Sequence, residues 1–510
     1  MLILENHQSK CRLIFQSAFT LILVFFWSVN VVFAQNERKF NPILPDNIAD
    51  PSIAYFDGTY YLYGTTDIDQ GLSKMGPPVV WTSKDFVNWS FEGTILENID
   101  WNKAYNFEDK EGKQKSGFFR YWAPGRPIEK DGKYYLWPTI VKPDDQMGIY
   151  VMVADHPTGP FKFLNGEGLS FNGFQILEHE AKPIIDDIDA EVFVEEDGTA
   201  YIYWRRRKAA KLNEDWTGLE GEVMDIQTSH GGYSEGPTVF KRNDIYYYLY
   251  TLSGHANYKN AYMISKEGPL GPFEAPDGPA IFIHSDGNTG VWGPGHGNIF
   301  HDPQTGKYIF AYLEYGEGGT TRQVFANEMK FNSDGTIKPI QVDFEGIGYL
   351  GNPSKEGTNV AFSAKASASS SKKAKEVEAK MDLNPNNLAG GTSPRELTKQ
   401  KVFTYEAKNA TDESNYTRWV AEAGDENPWL QIDLGKKRQI KRISLAFVHP
   451  VYGHAFEILG SEDGENWKKV HEQSEPEIKT PHDIKVKTGA RYLKVIILAG
   501  HPGIWEMKVY

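Results

Sequence analysis

The chain has 510 residues, 14% of them aromatic, with 48 glycines and 28 prolines. That length holds two or three domains, and the composition favours short strands and tight turns over long helices. A formal net charge of −14 argues against a nucleic-acid partner, whose phosphates demand basic patches.

At the N-terminus Lys10 and Arg12 precede an apolar stretch from Leu13 to Phe33, followed by Ala34 and Gln35. A positive start, an apolar run and a small residue before a polar one predict a signal peptide over residues 1–34. An uncleaved membrane anchor is the alternative, because the run approaches bilayer length. Either way the bulk of the protein is expected to be exported: periplasmic, cell-surface or secreted. The one cysteine, Cys11, lies in this segment, so the mature chain relies on core burial and has no disulfide. The basic cluster Lys372-Lys373-Ala374-Lys375 alternates with acids soon after and reads as a solvated face.

From residue 47 a hairpin pattern begins, NIADPSIAYFDGTYYLYGTTD, in which Asp57-Gly58 joins two short strands. It recurs as WAPGRPIEKDGKYYLW, IDAEVFVEEDGTAYIYW, SEGPTVFKRNDIYYYLYT and GHGNIFHDPQTGKYIFAY. Eleven residues separate Asp50 from Tyr61. Twelve separate Ala123 from Tyr135, Asp189 from Tyr201, Glu235 from Tyr247 and His296 from Tyr308. Between the copies, Pro157-Thr158-Gly159-Pro160-Phe161 is matched by Pro269-Leu270-Gly271-Pro272-Phe273. Each copy leaves room for one four-stranded sheet, and radial repetition of such sheets predicts a five-bladed β-propeller. Innermost strands line the channel, so Asp50, Ala123, Asp189, Glu235 and His296 are expected to converge at one end.

Taken singly, each of these has an ordinary explanation: a turn residue at Asp50, a strand-end cap at Asp189, a loop acid at Glu235, a packed ring at His296. The shared register changes the reading, because carboxylates held close together disfavour one another's charge and mark functional sites. Glycosidic bonds are cleaved by two carboxyl groups, one donating a proton to the leaving oxygen and one serving as base or nucleophile. A third acid raises its neighbour's pKa and keeps the donor protonated. Trp122 and Trp292 flank the copies and are candidates for stacking on a sugar ring, with propeller packing as their other reading.

Together these residues resemble glycoside hydrolase family 43. The matching pieces are Asn41-Pro42, Ala49-Asp50-Pro51-Ser52, Ser83-Lys84-Asp85-Phe86-Val87-Asn88-Trp89 and Trp122-Ala123-Pro124. They continue with Ile188-Asp189 ahead of Phe193-Val194-Glu195-Glu196-Asp197-Gly198, then Glu235-Gly236-Pro237 and Gly295-His296-Gly297. The resemblance implies hydrolysis with inversion, Asp50 as general base, Glu235 as general acid and Asp189 as pKa modulator and orienter. It implies that Arg322 contacts the sugar in the cleaved position. His296 matches the family's central-channel histidine, associated with a calcium ion, and no organic cofactor is implied. Two departures are visible: Ala190 follows Asp189 where the family has proline, and the fourth turn is Asn243-Asp244 in place of a glycine turn.

Near residue 350 the texture changes. The expected organisation is a propeller over 40–346, a linker over 347–358 and a second β domain over 359–510, with a polar segment at roughly 368–400 read as a loop or linker. Asn409-Ala410-Thr411-Asp412, Thr417-Arg418-Trp419, Trp429-Leu430-Gln431-Ile432-Asp433-Leu434-Gly435 and Ser461-Glu462-Asp463-Gly464-Glu465-Asn466-Trp467 resemble the coagulation factor 5/8 type C (discoidin) domain. That implies a jelly-roll-like β-sandwich acting as a carbohydrate-binding module or a stabilising accessory. It also implies Arg418 paired with a carboxylate, Trp419 in the core, and Asp412 and Glu506 beside a structural calcium.

The resemblance and the leader together imply an all-β, exported glycoside hydrolase acting on plant cell-wall polysaccharides or oligosaccharides, with α-L-arabinofuranosidase or β-xylosidase activity expected. A galactan- or arabinan-directed hydrolase of the same family and a non-catalytic glycan-binding propeller are the alternatives. Retention of all three acids favours the enzyme. The expected partner is the glycan, with neither nucleic acid nor a protein partner implied.

Overall fold

The first hairpin shows how each repeat folds. Asp57 and Gly58 adopt positive φ (46° and 74°), the two-residue turn that matches strand twist. Around it Ile48–Phe56 pairs antiparallel with Thr59–Thr66, and Phe56 stands opposite Thr59. Every residue of Thr59–Thr66 is buried, so the aromatic run is a strand packed on both faces.

The computed structural model describes residues 39–510 apart from 97–98, 174, 176, 253, 352, 354–356 and 383–395. The expected signal segment lies outside the described residues. Residues Phe40–Tyr510 form one compact unit of β-strands, with no α-helix among the described residues.

Antiparallel sheets follow in five groups along the chain, with a separate hairpin of Tyr105–Glu108 and Gln114–Gly117 after the first. The first adds Val80–Ser83 and Trp89–Glu92 to the opening hairpin. The second group holds two sheets, one of Ile128–Lys130, Lys133–Leu136, Met152–Ala154 and Lys162–Phe163 and one of Arg120–Trp122, Thr139–Val141 and Met147–Ile149. The third runs from Glu191–Val194 to Leu219–Asp225 and the fourth from Ser234–Arg242 to Ile281–His284. The fifth holds Gly295–His301, Tyr308–Glu314 and Gln323–Met329. The segment before the first sheet returns to the fifth: the Ile43 amide donates to the Val324 carbonyl at 2.9 Å, and the Ala326 amide to Asn41 Oδ1 at 2.9 Å. First strands of the third, fourth, fifth and first sheets lie side by side in that order, and Asn298 Nδ2 donates to Ser52 Oγ at 3.0 Å between the fifth sheet and the first. The repeated Pro-x-Gly-Pro-Phe segments have a shared role. Tyr63 of the first sheet donates its hydroxyl to the Pro157 carbonyl at 2.5 Å, and Tyr203 of the third donates to Pro269 at 2.6 Å.

Beyond residue 359 a second sheet system encloses its own core. Trp429–Phe447 and His482–Ala499 form its long central pair, flanked by His454–Ser461, Trp467–Glu477, Gly503–Val509 and Trp419–Val420. Trp419, Leu430, Ile432, Phe447, Phe456, Leu493 and Ile504 are fully buried in it. The segment expected as a loop at 368–400 instead contains most of a hairpin, Lys375–Asp382 paired with Glu396–Phe403. Val377, Ala379, Phe403 and Tyr405 alternate inward and pack with Ala256 and Trp292 of the preceding sheets. A second junction lies at the first sheet, where Lys479–Thr480 pairs with Trp89–Glu92 as a fifth strand.

The C-terminal region buries an unusual group of histidines. His449, His454 and His482 are buried, His501 nearly so, and each has a ring nitrogen without a hydrogen-bond partner. Burial pushes His454 down to about 3, His482 and His501 to about 4, and His449 well below the usual imidazole range. The unfolded chain therefore takes up protons first as pH falls below the ordinary imidazole value, which favours unfolding. The expected outcome is a melting temperature lower by more than about 5 °C at pH 5 than at pH 7, measured by calorimetry.

Candidate active site

The first strands of the first, fourth and fifth sheets carry a β-bulge at equivalent points, Ala49/Ser52, Glu235/Thr238 and Gly295/Asn298. A bulge bends the strand and re-aims a side chain. At this level the backbone enters the left-handed region at Asp50 (φ 51°), Ala123 (38°), Asp189 (64°), Gly236 (51°) and His296 (36°). Non-glycine residues adopt that conformation only where the surroundings enforce it, and such positions cluster at functional sites.

This corrects the repeat register at one place. Glu235 was expected in this ring, but Gly236 occupies it. The first and fourth hairpins both turn on two residues, so the eleven-residue spacing that sets Asp50 from Tyr61 sets Gly236 from Tyr247. Only glycine fits, because a Cβ there would come within 2.9 Å of the His296 ring. Glu235 enters the site from one residue earlier. Tyr233 donates its hydroxyl to Glu235 Oε2 at 2.6 Å, and Tyr258 bonds to the same carboxylate.

Asp50 is surrounded by donors and cations. Thr65 donates its hydroxyl to Asp50 Oδ2 at 2.5 Å, and the Ala123 amide donates to Thr65 Oγ1 at 2.9 Å, tying the second sheet to the first. His296 Nδ1 lies 3.3 Å and Arg322 Nη1 3.7 Å from Asp50 Oδ1. Burial alone would raise this carboxyl. The charges of His296 and Arg322 with the Thr65 hydroxyl outweigh it and hold Asp50 below the usual carboxylate range. Arg322 is fixed by a fork on Asp67, with Nε 2.9 Å from Oδ2 and Nη2 2.8 Å from Oδ1, while its own amide donates to Asp67 Oδ2 at 3.0 Å.

Asp189 has the opposite environment. Its amide donates to Thr139 Oγ1 at 3.0 Å, and its Oδ2 is buried without a hydrogen-bond partner. Burial, reinforced by the nearby charges of Glu235 and Asp50 against the pull of His296, pushes its carboxyl up to about 7. Asp189 thus keeps a proton near neutrality that an isolated carboxyl would release. His296 is itself held above the usual imidazole value. Burial opposes this, but the surrounding Asp50, Asp189 and Glu235 prevail.

Asp50, Asp189, Glu235, His296 and Arg322 therefore converge. Trp122 remains half-buried beside Ala123, with the Arg120 guanidinium 5.5 Å from its ring, and can present an aromatic face. Trp292 does not: it is 2% exposed, and Lys401 Nζ caps it 4.3 Å from the ring centroid. The sugar-stacking expectation for Trp292 is thus withdrawn on steric grounds. The expectation of a metal ligand at His296 meets a ring that serves as the cationic partner of Asp50. Asp412 and Glu506 do come together in the C-terminal region. No group of three or more His, Cys, Asp or Glu with metal-ligand spacing occurs among the described residues. Sequence reasoning passed over Asp67, Thr65, Tyr233 and Tyr258. Tyr233 alone carried a local signal, standing two residues before Glu235 on the same side of an extended chain.

A carboxyl held low, a second that keeps a proton near neutrality, a third acid beside them, a fixed guanidinium and an aromatic face suit glycosidic hydrolysis, which needs two carboxyl groups. The chain belongs to the glycosyl hydrolases family 43, whose family model matches residues 40–337, and an F5/8 type C domain matches residues 392–508. A solved structure described as a glycoside hydrolase is 38% identical, with a TM-score of 0.78, covering 92% of this chain and 100% of its own. A beta-D-galactofuranosidase of Aspergillus niger is 29% identical over 61% of this chain and 88% of its own length. An extracellular endo-alpha-(1->5)-L-arabinanase of Thermotoga petrophila is 26% identical over 60% and 73%.

The raised carboxyl of Asp189 has a stability cost with a definite sign. The folded protein retains its proton up to about pH 7, whereas the unfolded chain releases it near 3.8, so folding weakens as pH rises between these values. Asp189→Asn is expected to melt about 2–5 °C above the parent at pH 8, with the gap closing toward pH 4, while turnover falls by more than about 100-fold. Calorimetry at both pH values with a glycosidase assay checks it.

Proposed function

We propose that this enzyme is an exported, inverting α-L-arabinofuranosidase of plant cell-wall polysaccharides, and that its five sheets close into a five-bladed β-propeller beside a discoidin-like β-sandwich. The convergence of Asp50, Asp189 and Glu235 around Arg322 carries the reading. Asp50, kept ionised, takes a proton from water as the water attacks the anomeric carbon. Glu235 delivers a proton to the leaving oxygen, and Asp189, beside it, orients the acid and holds a proton of its own near neutrality. Arg322 and the unpartnered Asp189 oxygen are placed to meet sugar hydroxyls. A furanoside is favoured by the relatives named beta-D-galactofuranosidase and non-reducing end alpha-L-arabinofuranosidase, whose sugars share their ring configuration, although others are named beta-xylosidase. The leader read at residues 1–34 supports export, and the F5/8 type C domain is proposed to hold the enzyme on its polysaccharide.

Hydrolysis of aryl α-L-arabinofuranoside, followed by NMR, is expected to give the β-anomer first. Asp50→Asn and Glu235→Gln are each expected to lose at least about 1,000-fold in kcat on arabinan oligosaccharides. Preference for an aryl β-xyloside or β-D-galactofuranoside would reassign the sugar. Inactivity on all three, and on arabinan and xylan, would leave a glycan-binding protein.

Calcium is proposed for the C-terminal domain. Glu506 Oε1 is buried without a partner, Oε2 accepts only the Glu413 amide at 2.9 Å, and the Asp412 carboxyl lies close enough to raise the Glu506 pKa further beyond burial. Paired buried carboxyls with a hydroxyl, Thr417, on Asp412 Oδ2 at 2.6 Å suit a hard cation that takes oxygen ligands. Chelation is expected to lower the melting temperature by several degrees, and Glu506→Gln to abolish that response, both read by scanning fluorimetry.

A further inference from the structure

Arg322 closes a glycine-rich loop, Tyr315–Thr321, in which Gly316, Gly318 and Gly319 all have positive φ (58°, 91° and 64°). Such a loop has little preference of its own. What shapes it are two acids. Glu314, wholly buried, accepts the Gly316 amide on Oε2 at 2.6 Å and the Trp292 amide on Oε1 at 3.1 Å. Glu317, 5% exposed, lies at the loop's apex.

The charge partners of both acids come from the F5/8 type C side of the molecule. Lys401 Nζ reaches Glu314 Oε1 at 2.6 Å, across the face of Trp292. Arg418 pairs with Glu317 Oε1, Tyr405 donates its hydroxyl to Glu317 Oε2 at 2.6 Å, and Lys375 Nζ lies 3.6 Å away. Asn415 accepts Gln323 Nε2 on its carbonyl at 2.9 Å, one residue past Arg322. The turn on the other side of the site is backed in the same way. Ala256 packs among Val377, Ala379, Phe403 and Tyr405, and Asn257 Nδ2 donates to the Lys380 carbonyl at 3.2 Å. The next residue is Tyr258, the phenol bonded to Glu235. Two loops, one steering the base through Arg322 and one touching the acid, are thus both shaped from the C-terminal domain.

We infer that the F5/8 type C domain is a positioning element of the hydrolase site, acting through Lys401–Glu314 and Arg418/Tyr405–Glu317, and not only a tether for polysaccharide. This rests on the hydrolase reading above. Removing either cation leaves a buried carboxylate unpaired, which the loop relieves by moving, and Arg322 moves with it. Misplacement by about 1 Å costs up to about 100-fold in rate.

The test uses the full chain and a soluble aryl α-L-arabinofuranoside, for which tethering to a polymer is irrelevant. Lys401→Met and Glu317→Gln, assayed well below their melting temperatures, are expected to lose about 10–100-fold in kcat with KM within about threefold of the parent. Lys401→Arg is expected to recover most of the loss. Lys479→Met alters the other junction, where Lys479 pairs with Glu92 at 2.8 Å, and is expected to leave kcat unchanged. Full kcat in both Lys401→Met and Glu317→Gln overturns the inference, as does an equal loss in Lys479→Met. Arg418→Lys, which keeps the charge but not the fork, serves if Glu317→Gln does not fold, and full kcat there counts against the inference. An inactive parent enzyme on every aryl glycoside would instead defeat the hydrolase assignment.

Discussion

The charges of His296 and Arg322 on Asp50 set the protonation pattern of the site. Arg322 gives two donors to Asp67 and turns a third nitrogen toward Asp50, and a guanidinium stays charged even when buried. Asp50 therefore remains an acceptor of protons. Asp189 faces the same ring without such a partner, and its carboxyl climbs to about 7. Chemically identical side chains in equivalent strained positions settle on opposite sides of their usual range, because Arg322 and the Thr65 hydroxyl join His296 at Asp50 while burial prevails at Asp189.

The scaffold makes that asymmetry possible by repeating a geometry and varying its content. Each sheet contributes a left-handed residue at the same level, as an aspartate, an alanine, an aspartate, a glycine and a histidine. Ala123 and Gly236 leave room: the first donates its amide to Thr65, the second clears space for the His296 ring. Glu235 then comes from the residue before the left-handed position, one step out of the register that Asp50 and Asp189 share.

Much of this was legible in the sequence, because repeats report which residues become neighbours. Asp50, Asp189, Glu235 and His296 follow from spacing and Arg322 from resemblance, and all five converge. The misplaced register of Glu235 came from counting across turns of unequal length. Asp67 and Tyr258 were not legible because their roles depend on partners 255 and 23 residues away. Trp292 was misread for a related reason: the lysine covering it lies in a later segment rich in Lys and Glu that resembles a linker by composition. The period-two burial of Val377 and Ala379, and of Phe403 and Tyr405, was the signal for strands there, and charge masked it.

The strand pairing at the first sheet bears on how the chain divides. Trp89–Glu92 is the outer strand of that sheet, and Lys479–Thr480 pairs with Glu92 and Phe91. An uncovered outer strand is a template for other chains. A catalytic fragment ended near residue 346 would carry this edge bare, together with the apolar surface around Trp292 and Ala256. Such a fragment is set up to self-associate. The limit between the two domains in sequence is therefore not a limit in packing, and the later domain covers an edge that the earlier one would otherwise leave bare.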